Sequence, residues 1–208
     1  YISMRRTIFI LILTFLHVTM LLAKKEKEKE IKTLLGNIES SGGYGAFSLH
    51  YSNIDDRATF LMGARGCWIV NHSLGIGVGG KGFFTEYHYD PLVNEEVNLQ
   101  GLYGGLHVEP ILGGKEAIHF SFPVLIGGGR IAHADEFRGG YYYEYNINDV
   151  DGFFAIEPGV ELEVNMLRYF RISFGAYYLY TSTLDMYDTP DDALNGFNVG
   201  VTFKFGSF

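Results

Sequence analysis

Asn195–Phe208 reads NGFNVGVTFKFGSF. Phe197, Val199, Val201, Phe203 and Phe205 take alternate positions, with Asn198, Gly200, Thr202, Lys204 and Gly206 between them. Successive side chains on a strand point to opposite faces, so this stretch is a strand with one apolar face and one small or polar face. A lysine on one side and a row of phenylalanines on the other require two different surroundings.

The same alternation recurs upstream. Eight strands are predicted near 43–52, 57–70, 73–87, 97–109, 117–132, 153–164, 168–181 and 195–206. The sixth sets Phe154, Ile156, Val160 and Leu162 against Glu157, Gly159, Glu161 and Glu163. The seventh sets Phe170, Ile172, Phe174, Tyr178 and Tyr180 against Arg171, Ser173 and Tyr177, and the fifth sets Ile118, Phe120 and Phe122 against His119 and Ser121. In the fourth, Leu102, Leu106 and Val108 oppose Tyr103, His107 and Glu109; the phasing of the first strand stays open, with His50 and Ser52 turned to the polar side. The polar faces together hold Arg65, Lys81, Arg171 and Lys204 with Glu109, Glu157, Glu161 and Glu163. Four bases and four acids balance, as charges enclosed together must.

Connections alternate in length. Asn71-His72, Ile111 to Glu116 and Asn165 to Leu167 are short, whereas Asp90 to Glu96, Ala134 to Gly152 and Ser182 to Leu194 are long. Short turns at one end and long loops at the other, with an even strand count, predict an all-β fold. The expected form is an eight-stranded antiparallel up-and-down transmembrane β-barrel with a polar lumen. Such a barrel is just wide enough to be filled by side chains, so the lumen is expected to be plugged by ion pairs rather than open.

Composition agrees. The 208 residues include 27 Gly and 5 Pro, with 16% aromatic residues, and fit one closed, twisted sheet. Arg5-Arg6 followed by the apolar run Ile8 to Leu22 and by Ala23 reads as a cleaved signal peptide over 1–23, with Met4 as the start of translation. The run falls short of the roughly 20 residues of a spanning helix. Residues 24–41, which include KKEKEKEIK, read as a charged periplasmic tail, and 42–208 as the barrel. No cysteine stands directly after the apolar run, which disfavours a lipid-modified N-terminus; Cys67 is the single cysteine, so no internal disulfide forms and it reads as a small packing residue. The net charge of −8 disfavours nucleic acid.

The region from Gly42 to Phe208 resembles the small eight-stranded outer-membrane barrels, the class of outer-membrane proteins A, X and W. The resemblance rests on the export signal, the strand pattern, the polar lumen and the terminal Phe208. It implies a monomeric porin-like or adhesion protein of a Gram-negative envelope, in contact with outer-membrane lipids and lipopolysaccharide and inserted by the barrel-assembly machinery. In that family the terminal aromatic is in phase with the outward residues. Phe208 is out of phase with Phe197 to Phe205, so either a bulge at Gly206-Ser207 restores the phase or Phe205 is the effective signal residue.

Candidate chemistry is sparse. Asp185, Asp188, Asp191 and Asp192 cluster in the last long loop, but their spacing matches no dedicated Ca²⁺ loop, and they read as solvated. No metal and no cofactor is expected. Tyr141, Tyr142, Tyr143 and Tyr145 form an aromatic run beside the longest loop, suited to a membrane rim or to an extracellular ligand. His50-Tyr51-Ser52-Asn53 resembles the His-x-Ser-Asn stretch of outer-membrane lipid A 3-O-deacylases, and His119 and Ser121 share a strand face. A serine nucleophile needs a histidine base, so these pairs carry a second reading, lipid acyl hydrolysis. Here the stretch lies in the first strand rather than late in the chain. The same pattern also admits small-solute passage and a soluble lipocalin-like barrel, whose faces would be inverted. The leading expectation is a non-enzymatic barrel, structural or surface-binding.

Overall fold

The computed structural model describes residues 38–208 apart from 55–56, 87, 91–94, 136–149 and 187–188. The candidate signal peptide, the tail up to residue 37, Tyr141, Tyr142, Tyr143, Tyr145 and Asp188 therefore lie outside the described residues. The strand segments are β1 (Ser41–Ile54), β2 (Arg57–Val70), β3 (Leu74–Thr85), β4 (His88–Asp90), β5 (Glu95–Leu112), β6 (Ile118–Ser121), β7 (Val124–Asp135), β8 (Val150–Leu167), β9 (Phe170–Thr181) and β10 (Gly196–Ser207).

These segments form eight barrel strands. β4 is a short extension of the β3–β5 hairpin, pairing His88 to Val97. β6 and β7 are two parts of one strand, since both pair with β5 and with β8. Phe122-Pro123 separates them, because Pro123 has no N–H to give the ladder. Its carbonyl still accepts from the Gly159 N–H at 2.8 Å, and the Phe122 N–H still donates to the Pro110 carbonyl at 2.9 Å. β1 pairs antiparallel with β2 on one side and with β10 on the other, and β3 pairs with β5, so the sheet closes on itself. Closure leaves no row of unpaired backbone groups at an edge.

Burial follows the alternation. On β10, Asn198, Thr202 and Lys204 are buried, whereas Phe197, Val199 and Phe205 are exposed. β1 resolves in the same way, with Ser48, His50 and Ser52 inside and Phe47 and Tyr51 outside. The outer surface carries Trp68, Val78, Leu106, Phe120, Leu162 and Phe174, all exposed. Arg130 is the charged side chain at outward strand positions among the described side chains.

Three turns lie at one end. Asn71 and His72 both take positive φ, 53° and 55°, and the Ser73 N–H returns to the Val70 carbonyl at 3.0 Å. That is the twist-matched turn that hairpins favour. The second turn contains Gly113 at φ 75°. The third corrects an expectation: Asn165 to Leu167 belongs to β8, and the turn is Arg168-Tyr169. An irregularity between Asn165 and Leu167 absorbs one extra residue, so the strand runs longer than its alternation reads.

Of the two expectations for the terminal phase, the structure contradicts the bulge and leaves Phe205 as the outward residue. β10 pairs with β1 in unbroken register through Gly206↔Tyr44 and Ser207↔Gly43, without a bulge at Gly206-Ser207. Phe208 instead keeps the phase of Lys204 and turns inward. Its ring stacks on Tyr44 at 5.7 Å, and the Arg171 guanidinium lies 3.9 Å from its centroid. Phe205 is the outward aromatic, 58% exposed and stacked on Phe170 at 4.8 Å.

Candidate functional site

The inside of the barrel is filled in layers. At mid-height the structure brings together all eight charged residues of the polar faces. Arg65 Nη2 donates to both oxygens of Glu161, at 2.8 and 2.9 Å. Lys204 Nζ lies 2.8 Å from Glu161 and 2.6 Å from Glu163, and also donates to Glu109. Arg171 Nη1 is 3.4 Å from Glu163, and Lys81 Nζ is 2.8 Å from Glu157. Many of these pairs cross the lumen, from β2 or β10 to β5 and β8, and tie strands that are not neighbours in the sheet.

Phenols complete the set. Tyr44 donates to Glu109, Tyr177 to Glu161, and Tyr103 to Glu157 at 2.7 Å. Asn198 donates to Glu157 at 2.9 Å. Lys81 Nζ sits 4.2 Å from the Tyr177 ring centroid, a cation–π contact that a dry lumen strengthens. Tyr177 lies flat where Gly159 has no side chain; a Cβ there would collide with its ring. Glu109, Glu161 and Glu163 are fully buried, and each has cationic partners, as enclosed carboxylates require.

Apolar clusters flank this charged layer on both sides among the described residues. At the loop end, Ile54, Leu61, Phe83, Leu99, Ile131 and Phe153 form a core. Leu184, Met186, Ala193 and Leu194, from the loop between β9 and β10, are buried in the same core. That loop is built: Leu184 N–H donates to the Asp191 carbonyl at 3.0 Å, Asp185 N–H to an Asp151 carboxylate oxygen at 2.7 Å, and Thr181 N–H to Asn195 Oδ1 at 2.7 Å. At the turn end, Tyr44, Cys67, Ile69 and Ile111 pack with Phe208. The mid-lumen space beside Ser48, Lys81, His107 and Glu157 is about 20 Å³, room for about one water.

The His/Ser pairs are inside this filling. His50 Nδ1 bonds to Asn198 Oδ1 at 3.0 Å, while Ser52 Oγ donates to the Phe197 carbonyl at 2.9 Å. His119 Nε2 lies 3.2 Å from Glu163, and Ser121 Oγ donates to Glu161 at 3.4 Å. Both serines and both histidines are buried on the lumen side. Of the acidic loop, Asp185, Asp191 and Asp192 lie in the described loop that covers the barrel mouth, with no metal cluster among them within the described residues. Sequence reasoning missed Tyr44, Asn198 and the loop plug. Leu184, Met186 and Leu194, apolar residues inside an acidic loop, were its one visible signal.

No protein-family model matches this chain, and no curated protein matches it in sequence. Solved structures do. Neisserial surface protein A matches with a TM-score of 0.55 and 6% identity, over 79% of this chain and 96% of that one. The N-terminal β-barrel domain of Pseudomonas aeruginosa OprF matches with a TM-score of 0.47 and 11% identity, over 80% and 96%. Ail, the attachment invasion locus protein of Yersinia pestis, in complex with the heparin analogue sucrose octasulfate, matches with a TM-score of 0.44 and 12% identity, over 80% and 95%. The chain has the fold of the small eight-stranded outer-membrane barrels.

Proposed function

We propose that this chain is a non-enzymatic barrel of the outer membrane that works through its outer surface and its loops, with a lumen closed to solutes. The observation that carries this reading is the filling of the lumen among the described residues: a charged layer between two apolar ones, with the mid-lumen space beside Ser48, Lys81, His107 and Glu157 only about 20 Å³. A continuous apolar outer surface supports residence in lipid, because soluble monomers rarely expose patches beyond a few hundred Å². Tyr51, Tyr178 and Tyr180 near the loop end, and Trp68 and Tyr169 near the turn end, are the aromatic rims of such a belt. The buried charges speak against a soluble lipocalin-like barrel, which would put them outside. Acyl hydrolysis lacks support, since the candidate serine hydroxyls bond inside the lumen, away from any lipid.

Export by the 1–23 segment and insertion by the barrel-assembly machinery as a monomer belong to this reading. So do contacts with lipopolysaccharide, and with an extracellular ligand through the loop that carries Tyr141 to Tyr145. Three measurements test it together. The protein should fractionate with the outer membrane, and its gel mobility should shift on boiling. Reconstituted in planar bilayers, the folded barrel should be electrically silent. Steady single-channel conductance would overturn the closed lumen, and recovery in the soluble periplasm would overturn membrane residence.

A further inference from the structure

The mid-lumen space is about 20 Å³, but a groove of about 500 Å³ lies on the outer face, in the loop-side half of the barrel. That is the scale of ligand pockets, roughly 300–1,000 Å³. Its floor is Gly82 of β3, the register partner of both Met62 on β2 and Leu102 on β5. Met62 and Leu102 are exposed and stand as its two walls, and the missing side chain at Gly82 leaves a slot between them. Phe84 follows on the same face of β3, stacks on Phe60 at 6.2 Å and bounds the slot on the loop side.

Charge distinguishes this groove. Arg130 and Gln100 both line it. Arg130 is the register partner of Leu102, and Gln100 that of Ala132, so the two polar side chains are diagonal neighbours on adjoining strands, within reach of one ligand. Arg130 is exposed and has no ion-pair partner among the described residues. It stands four residues beyond Ile126, which shares the mid-height row of Val78 and Leu106. Four residues are about 13 Å of strand. At the usual tilt that is about 10 Å along the membrane normal, just inside the roughly 12 Å half-height of an apolar belt. A guanidinium there reaches up to headgroup phosphates while its stem lies among acyl chains. Two other outer grooves, beside Phe174 and beside Val78, have similar volumes but no outward charge, since Arg65 behind the second points into the lumen.

We infer that this groove holds one lipid of the outer leaflet, a phosphorylated, multiply acylated saccharolipid of the lipopolysaccharide class. Its phosphate sits on Arg130 and Gln100, and one acyl chain lies in the slot over Gly82. The inference rests on the membrane reading above. A planar guanidinium offers a phosphate two parallel N–H donors, and the Gln100 amide adds another. Within lipid the chain gains no hydrophobic driving force, so the slot contributes shape and close packing, and the phosphate supplies the attraction. The loop end of such a barrel faces outward and its short turns face the periplasm, which selects the saccharolipid over the phospholipids of the inner leaflet.

The test uses the full barrel folded in detergent micelles, with native mass spectrometry counting bound lipid. The probe is purified bisphosphorylated lipid A, compared with the same lipid stripped of phosphate and with phosphatidylglycerol of matched chain length. The expected result is one lipid A per barrel, held at least about tenfold more tightly than either comparison lipid, the order of one charge-assisted hydrogen bond. Arg130→Ala should abolish the preference for the phosphorylated form. Gly82→Leu should weaken lipid A and its phosphate-free form alike, by roughly tenfold, the order that an obstructing side chain costs. A Cβ at Gly82 meets nothing nearer than the Gly101 carbonyl oxygen at 3.7 Å, so this variant has room to fold. Arg168→Ala, which removes a cation at the turn end, should change nothing. Boiling-dependent gel mobility confirms that each variant is folded, and should one fail to fold, the other decides. Unchanged lipid A binding in folded Arg130→Ala or folded Gly82→Leu refutes the groove, as does phosphatidylglycerol bound as tightly as lipid A. A barrel that fails here yet fractionates with the outer membrane loses the groove and keeps the function proposed above, whereas one recovered in the soluble periplasm loses both.

Discussion

Glu161, itself fully buried, accepts hydrogen bonds from Arg65, Tyr177 and Ser121 and pairs with Lys204. Glu161→Gln keeps the volume and removes the charge that answers two cations. Breaking a buried pair leaves its partner uncompensated, so a loss of about 3–5 kcal/mol is expected, read as a lowered urea midpoint in lipid vesicles. A change within about 0.5 kcal/mol, the usual range of a surface substitution, would mean that the network is wet and screened. The two terminal phenylalanines divide in the same way. Phe205 faces outward and Phe208 caps the turn end, so Phe205→Ala should slow insertion by the assembly machinery. Phe208→Ala should chiefly lower the stability of the folded barrel. Pulse-labelled insertion and equilibrium unfolding separate the two, and equal effects of both changes on insertion alone would refute the division. At this scale the sequence was most legible for facing. That Lys204 lies inside follows from its place between Phe203 and Phe205. That it reaches Glu109, across the lumen on β5, does not, because the partner depends on strand tilt and register.

Each strand carries the fold as an element through its outward row. Val78 and Leu106 are register partners at the middle of β3 and β5, both exposed. An arginine at either position should cost about 2–4 kcal/mol in a bilayer, the penalty of a cation near the midplane. Urea titration in vesicles measures it, and a neutral Val78→Arg would show that this face does not meet lipid. Arg130, in the loop-side half of β7, stands outward beside Leu102. A cation there fits the phosphates at the rim of the loop-side leaflet. Arg130→Ala should therefore fold normally and retain less lipopolysaccharide on purification; unchanged retention would remove this residue from the contact. Element ends were less legible than element faces. β8 runs on through Leu167 because an irregularity absorbs one residue, and alternation alone cannot register that. The break at Phe122-Pro123 is the reverse case. Its proline was visible, yet the ladder continues across it in one register because the flanking bonds from Gly159 and Phe122 are kept.

In the whole molecule, two apolar clusters among the described residues flank the charged layer, one at the loop end and one at the turn end. Leu184→Asp should therefore loosen the loop-end core, lower stability by about 2–5 kcal/mol as a large core deletion does, and still leave the barrel non-conducting. A channel opened by that one change would show that the charged layer alone does not seal. The sequence by itself determined the alternation of faces, hence the strand count, the closed sheet and the set of charges that share the interior, because period-two patterning is local and survives any register. Tertiary structure alone decided which charge meets which, that the loop after β9 turns Leu184 and Leu194 back into the mouth, and that Phe208 caps the opposite end. It also decided that Arg130 and Gln100 border one groove over Gly82. Those pairings depend on register, tilt and closure, which place residues far apart in the chain within ångströms of one another and leave no periodic trace along it.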